Sequence, residues 1–513
     1  MIDAAALADA FALLASNPLA WLVVPAGLLI GLMFGILPGL SVPIAMAVFL
    51  PFTLYMDFLS AILFLTAIFT GGGFGGSVPA ILLNVPGTTA AIATCFDGYP
   101  MARQGRHNEA LGVALAASTI GTIVGYALLL VILEPISRFV LKLGPPELAL
   151  IAVAGLFLIA ALSGGYFWRG IVAGAVGLMI GTIGMSSSGV MRGTMGSMYM
   201  LDGIETTAAI IGLFAASEIF ALARKDYIVA DAKARAVRLS KIFQGFTRAF
   251  RSWFLMIRGG LLGAMIGAVP GVGSTVANLV SYSAARATAK DPASYGRGNA
   301  DGVVAAESAN SSSEGGSMVA RLALGIPGGA GTAIMLGAFA MHNVTGGPRF
   351  ISDNKEVVYA IIGGNLIQAF LLAVIGIVFL RIAVMVVQVP LRYLLPVILV
   401  LAVLGSYSLS GSLVGPMTLA GGAILGVVMK HFNYPVVAMV IGLLLGRMLE
   451  GNLLRTWQLS RGDFTIFFER PISLVLIVLL VAAAATPFVL RRIRRARQPG
   501  DITTHGEARG PRT

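Results

Sequence analysis

GAVPGVGS, residues 267–274, interrupts an uncharged run (259–285) that otherwise reads as a lipid-spanning helix. Proline removes a backbone donor and glycine admits left-handed or extended geometry, so the stretch ends one half-helix and begins another. In hydrocarbon an unpaired backbone N–H or C=O costs several kcal/mol. Such a break survives only where protein or a water-filled cavity satisfies it.

Composition supplies the hydrocarbon. The 513 residues are 57% hydrophobic and 11% charged, with a mean hydropathy of +0.89, whereas soluble domains carry about a quarter charged residues. A hydrocarbon core of about 30 Å takes roughly 20 apolar helical residues to cross, and runs 110–133, 148–168, 170–191, 357–380 and 471–490 meet that length. Runs 10–56, 58–96 and 393–429 exceed one crossing and must fold back at their Gly, Pro and Ser clusters. The expectation is an all-α polytopic membrane protein of about 11 to 14 segments. Asp3 and Asp9 replace the basic n-region of a secretory signal, so the N-terminus is expected to be retained. Cys95, the single cysteine, reads as a small buried hydrophobe.

The net charge of +12 is placed in two clusters, one in 224–258 and one in the tail at Arg491, Arg492, Arg494, Arg495 and Arg497. Both flank spans, as cytoplasmic segments do. In the central cluster Ile242, Phe243, Phe246, Phe250, Trp253 and Phe254 interleave with basic residues, predicting an amphipathic helix at the interface. The same mixture can describe a single-strand nucleic-acid surface. Its place between spans favours the lipid bilayer and no nucleic acid.

The opening stretch has a partner. GILPGLS (35–41) matches GAVPGVGS at one constant offset, Gly35 with Gly267, Pro38 with Pro270 and Gly39 with Gly271. GGSVPAILLNVPGTTAAIAT (75–94) pairs with GGSMVARLALGIPGGAGTAIM (315–335), aligning Pro86-Gly87 with Pro327-Gly328, and IIGLFA (210–215) echoes VIGLLL (440–445). Three echoes in one order predict a duplication: repeats at 1–223 and 259–449, a basic loop at 224–258, a last span within 450–490, and a disordered tail at 491–513. With the loop inside and the acidic N-terminus outside, the halves must have opposite orientation, and the last span returns the C-terminus to the cytoplasm.

Inverted repeats with interrupted helices point to transport. A half-helix N-terminus carries about half a positive charge and free N–H groups, a seat for a carboxylate. A lone Pro-Gly would be a kink or packing contact; recurrence in both halves favours a site. The candidate binding residues are Pro38, Gly39, Ser41, Asn84, Pro86, Gly87, Thr88, Thr89, Pro270, Gly271, Gly273, Ser274, Pro327, Gly328 and Thr332. Glu307, Asn310, Ser311 and Glu314 share one helical face and, with Asn278, offer oxygens suited to Na⁺ or a proton relay; a solvated loop face is the other reading. No cofactor other than such an ion is expected. Asp97 and Arg103 read as loop-capping residues. GGGFGG (71–76) lacks the strand and lysine of a phosphate loop. The four histidines form no metal-ligand motif and no nucleophile–base pair is visible, so an enzyme is not expected. A passive anion channel or a non-transporting scaffold is the alternative.

GILPGLS, ILLNVPGTTAAIATCFDGYPMARQGRHNEAL, GAVPGVGS, GNADGVVAAESANSS and LALGIPGGAGTAIMLGAF together resemble the large membrane subunit of the tripartite tricarboxylate transporters, the TctA family. The likeness runs from Gly31 to about Gly446. It implies a bacterial inner-membrane permease driven by an ion gradient, working with a small TctB-like membrane subunit and receiving an organic carboxylate from a periplasmic TctC-like binding protein. The chain departs from the family pattern Pro-Glu-(Ser/Ala)-Ala-Asn-Asn-Ala. It reads Ala306, Glu307, Ser308, Ala309, Asn310, Ser311 and Ser312, so the second amide is absent.

Overall fold

The computed structural model describes residues 3–37, 40–140, 142–161, 167–186, 189–197, 200–201, 203–217, 219, 238–269, 273–386 and 391–481. Over these residues the chain is a stack of helices with one two-residue antiparallel strand pair, Gly184–Met185 with Met191–Arg192. The first half holds α1 (Ala4–Ala15), α2 (Pro18–Ile36), α3 (Val42–Phe49), α4 (Phe58–Gly75), α5 (Ser77–Leu83), α6 (Ile92–Arg103), α7 (His107–Val140), α8 (Pro145–Ala161), α9 (Phe167–Gly181) and α10 (Thr206–Ile211). The second holds α11 (Leu239–Phe250), α12 (Trp253–Gly267), α13 (Gly273–Ala287), α14 (Ala300–Leu324), α15 (Ala330–Met341), α16 (Pro348–Asp353), α17 (Lys355–Val386), α18 (Leu391–Ser410), α19 (Val414–His431) and α20 (Val436–Leu459), followed by α21 (Ile466–Glu469).

The packing repeats with the sequence. α2 lies along α4 as α12 lies along α14; α11 packs on α7 as α1 packs on α17; α7 packs on α14 as α17 packs on α4. Glycines explain the first of these. Gly27, Gly31 and Gly35 line one face of α2 at four-residue spacing, and Gly259, Gly263 and Gly267 do the same on α12. A Cβ on Gly27 would come within 2.7 Å of the Phe64 carbonyl oxygen, and one on Gly31 would collide with the Ile68 carbonyl. On α12 the colliding partners are the Ser308 and Ser312 hydroxyls and the Ser313 backbone. Small residues at this spacing let backbones approach where water supplies no hydrophobic drive. GGGFGG belongs to the same contact: it closes α4, with Gly71 against Leu28 and Gly75 against Leu32 of α2.

Helix ends follow local chemistry. Asp3, Asn17, Asp57 and Asn299 each cap a helix by accepting an early amide, Ser60 N–H at 3.0 Å for Asp57. Asp57 also accepts from Asn17 at 3.0 Å, tying the α1–α2 corner to α4. The long uncharged runs fold back where expected, 393–429 at Gly411 (φ +60°) and 10–56 at Asn17 and around Leu37.

This is an all-α polytopic membrane protein. Among the described residues five helices are long and apolar enough to cross a bilayer, Pro18–Ile36, Phe58–Leu83, His107–Ile136, Lys355–Ala383 and Val436–Leu459, and shorter apolar helices accompany them. Leu22, Met179, Phe370, Val374, Val378, Leu404 and Ile424 point outward, exposure that lipid accepts and water would oppose. The amphipathic helix expected in the central loop is α11, which buries Ile242, Gly245 and Ala249 and leaves Phe243 and Phe250 exposed. α12 begins at Trp253, so Arg258, read as part of the loop, stands inside a helix. Arg224, Lys225, Lys233 and Arg235 and the basic tail lie outside the described residues. Cys95 is half-buried on α6 rather than fully enclosed.

Candidate functional site

Each of the four breaks separates two helices. Pro38, Gly39, Pro270 and Gly271 lie outside the described residues, but their flanks do not. α2 ends at Leu37 and α3 starts from Ser41; α12 ends at Ala268 and α13 starts at Gly273, which is left-handed at φ +68°. The other two breaks share one construction. Asn84 (φ 59°) caps α5 and Gly325 (φ 66°) caps α14, each in left-handed geometry two residues before the Pro-Gly pair. Gly and Asn are the residues that tolerate this conformation, so backbone demand accounts for Asn84, whose side chain is exposed.

The described residues flanking the breaks are linked in a circuit. In the first half Gly87 donates to the Gly76 carbonyl at 3.0 Å and lies against the Gly35 carbonyl. In the second, a Cβ on Gly328 would sit 3.0 Å from Ser317 Cβ and 3.5 Å from the Gly267 oxygen. Across the halves the Thr275 and Thr89 hydroxyls bond at 2.9 Å, and α3 packs on α15, Gly331 lying against Phe69 and Met46. Thr88 holds a buried hydroxyl with no partner at this junction. Ser41 and Ser274 are half-buried on the first turns of α3 and α13.

Two candidates are used by the scaffold. Asn278 is fully buried, accepting from Ala93 N–H at 2.9 Å and donating to the Ala306 carbonyl at 3.1 Å, which staples α13 to α6 and α14. Thr332 closes the start of α15 on itself, accepting from Gly329 N–H at 2.8 Å and donating to the Gly329 carbonyl at 2.9 Å. Asp97 caps as expected: one oxygen accepts from the amides of Gly296, Gly298 and Asn299 at 2.8 to 2.9 Å, the other from Tyr282 at 2.9 Å. Arg103 is exposed.

The polar face of α14 is not solvated. The helix is buried from Gly302 to Ala323, and its Glu307 and Glu314 carboxylates enter the groove between α4, α6 and α7 of the other half. Glu307 accepts from the Thr94 hydroxyl and from Ser118 at 3.1 Å. Glu314 accepts from Thr70 at 2.6 Å and Tyr126 at 3.0 Å, and Gln368 in turn donates to Thr70 at 2.7 Å. Asn310 reaches the Gly73 carbonyl at 3.4 Å, and Ser311 is buried beside it. Among the described residues no cationic side chain pairs with either carboxylate. A buried carboxylate held only by hydroxyls is completed by a proton or a hard cation.

Sequence reasoning missed Thr70, Ser118 and Tyr126, which no local motif marks, Thr94, which ends the 75–94 echo, and Arg321, the single charge between Gly315 and Pro348. An open cavity of about 660 Å³ lies against Phe96, Tyr282, Ser283 and Arg286, on the α6–α13 side of the Asp97 lock.

A family model described as "Tripartite tricarboxylate transporter TctA family" matches residues 21–441. The chain is 32% identical over 457 residues, 89% of its length and 90% of the relative's, to an "Uncharacterized 52.8 kDa protein in TAR-I ttuC' 3'region" of Agrobacterium vitis. A second relative from the same organism, an "Uncharacterized protein in TAR-II ttuC' 3'region", is 32% identical over 211 residues, 41% of this chain and 87% of that one. No solved structure matches.

Proposed function

We propose, from the premise that this chain belongs to the tripartite tricarboxylate transporter TctA family and is the large membrane subunit of such a transporter, that it carries an organic di- or tricarboxylate inward on an ion gradient. The site is the junction of the four breaks; the coupling group is the carboxylate face of α14. The observation that carries this reading is the circuit of residues flanking the breaks, above all the 2.9 Å contact between Thr89 of one half and Thr275 of the other. Interrupted helices placed together offer an anion the unpaired N–H groups and positive ends of several half-helices at once. Glu307 and Glu314 support coupling, because a proton or Na⁺ completes each of them without a protein cation. The cavity beside Arg286 is the vestibule on one side, its basic side chain favouring anions at the mouth.

In this reading the two halves are inverted repeats, the membrane is the bacterial inner membrane, the N-terminus is periplasmic and the C-terminus cytoplasmic. A periplasmic binding protein delivers the carboxylate and a small membrane subunit completes the complex. Alternating access moves one bundle against the other around the junction. The experiment is uptake of labelled citrate or succinate into proteoliposomes holding the chain with its partner subunits. Accumulation above the external concentration under a Na⁺ or proton gradient, collapsing with an ionophore, supports it. Equilibration that ignores the gradient would make the chain a channel.

A further inference from the structure

Arg321 stands one turn before the Gly325 cap of α14 and is 0% exposed. Its two terminal nitrogens rest on the thioethers of Met318, on its own helix, and Met335, on α15; its Nε has no partner. Thioether sulfur is a weak acceptor and a guanidinium does not give up its proton. Glu314, two turns earlier on the same face, already accepts from Thr70 and Tyr126, and among the described residues no carboxylate is within ion-pair distance of Arg321. Glu314 is thus a counter-charge at a distance, already engaged by hydroxyls, and a buried cation with no carboxylate in contact is unfavourable; inside a membrane protein it marks a group whose partner arrives.

The surroundings say what arrives. α15 begins nine residues on, past the break, and the N–H groups of its first turn have no helical acceptors. Met335 lies on that same helix, so the guanidinium is held against the element whose positive end opens at Ala330. Methionine side chains are flexible and release a partner at small cost. The arrangement exists once only: Arg321 follows the serine of its GGS by four residues, and the matching residue in the first half is Ile81.

We propose that Arg321 is the receiving group for one carboxylate of the transported anion: the guanidinium leaves Met318 and Met335 and takes the carboxylate in a bidentate pair, with the start of α15 facing the rest of the ligand. This rests on the carboxylate-transport reading above and adds to it the residue that selects a charged group over its neutral isostere.

The test uses the full chain with its partner subunits in proteoliposomes, and the acid, citrate or succinate, that the wild type accumulates. Accumulation of neither would remove the transport reading, and this proposal with it. Where one is accumulated, wild-type protein is treated with phenylglyoxal, which attacks guanidinium, with and without that acid, and the Arg321 peptide is quantified by mass spectrometry. The adduct at Arg321 should fall several-fold with the acid while that at exposed Arg297 stays constant. No adduct in either condition, or an equal adduct in both, overturns the proposal and leaves transport standing. A second arm compares inhibition of uptake by succinate with that by its half-amide, succinamate. Arg321→Gln should move the wild-type preference for the diacid toward one, by about tenfold or more, and Arg321→Lys should keep part of it. An unaltered preference in the Gln variant refutes the assignment.

Discussion

Asp57 shows how much one side chain does at a helix start. Burial alone would raise its pKa, but the Ser60 hydroxyl, the Ser60 amide and the Asn17 amide outweigh burial and hold it below its ordinary 3.8. A carboxyl whose folded pKa is depressed stabilises the fold at pH above the unfolded value and loses that contribution as pH falls through the folded one. Asp57→Ala should therefore lower stability at neutral pH by about 1 kcal/mol, the usual worth of a cap, and the gap to wild type should narrow below about pH 4; thermal melts in detergent across that range check both. Glu307 and Glu314 call for a different measurement. If they carry the coupling ion, Glu307→Gln should flatten the Na⁺ or pH dependence of uptake while leaving the protein inserted, and an unchanged profile in both gradients takes Glu307 out of the mechanism. At this scale the sequence was half legible. The one-face spacing of Glu307, Asn310 and Glu314 was readable because α14 is regular, but their hydroxyl partners come from α4, α6 and α7, more than 180 residues away. Asn84 reads as a candidate ligand because it is polar beside a break, and left-handed backbone at the α5 cap is a second reason for the residue type.

The elements were legible where length and apolarity decide, and less so where contact decides. Runs too long for one crossing announce their reversals through Gly, Pro and Ser clusters. The four-residue glycine spacing on α2 and α12 was visible too, yet its meaning needs the facing helix: Gly31 and Gly263 have no room for a Cβ, whereas Gly73, in the GGGFGG run that closes α4, has nothing within 4 Å. Gly31→Val and Gly263→Val should each cost about 1–3 kcal/mol or more by forcing backbones apart, while Gly73→Ala should be neutral or gain about 0.5–1 kcal/mol of helix stability. Melting of the three purified variants ranks them directly. Gly328→Val should abolish uptake with the protein still inserted. The reason is crowding by Ser317 rather than a left-handed backbone, since Gly328 is not among the positive-φ glycines. Wild-type uptake by that variant would reduce this break to a packing feature.

At the scale of the molecule the two halves of the chain do not pack side by side as finished units. α14 of the second half is enclosed by α4, α6 and α7 of the first, and the residues flanking the four breaks are linked by contacts within a half and between halves. Backbone lies against backbone with no slack both within a half, Gly87 on Gly35 and Gly316 on Ala264, and between halves where α14 meets α7, Gly315 on Gly125 and Gly121 on Ser308. Of the contacts between halves, Thr89 to Thr275 is hydroxyl to hydroxyl and exposed, the kind that opens at little cost. If one bundle moves against the other during transport, the circuit must part there first. The two hydroxyls at 2.9 Å place the flanking Cβ atoms near the range a disulfide spans. In a Cys95→Ala background, Thr89→Cys with Thr275→Cys should oxidise spontaneously or with mild oxidant, and uptake should then fall by about tenfold or more, recovering with reductant. Each single cysteine variant, assayed with and without oxidant, sets the reference rate, and oxidant should leave that rate unchanged. A cross-linked protein that still transports at full rate would mean that the junction stays closed through the cycle, and that the substrate passes somewhere other than between these two halves.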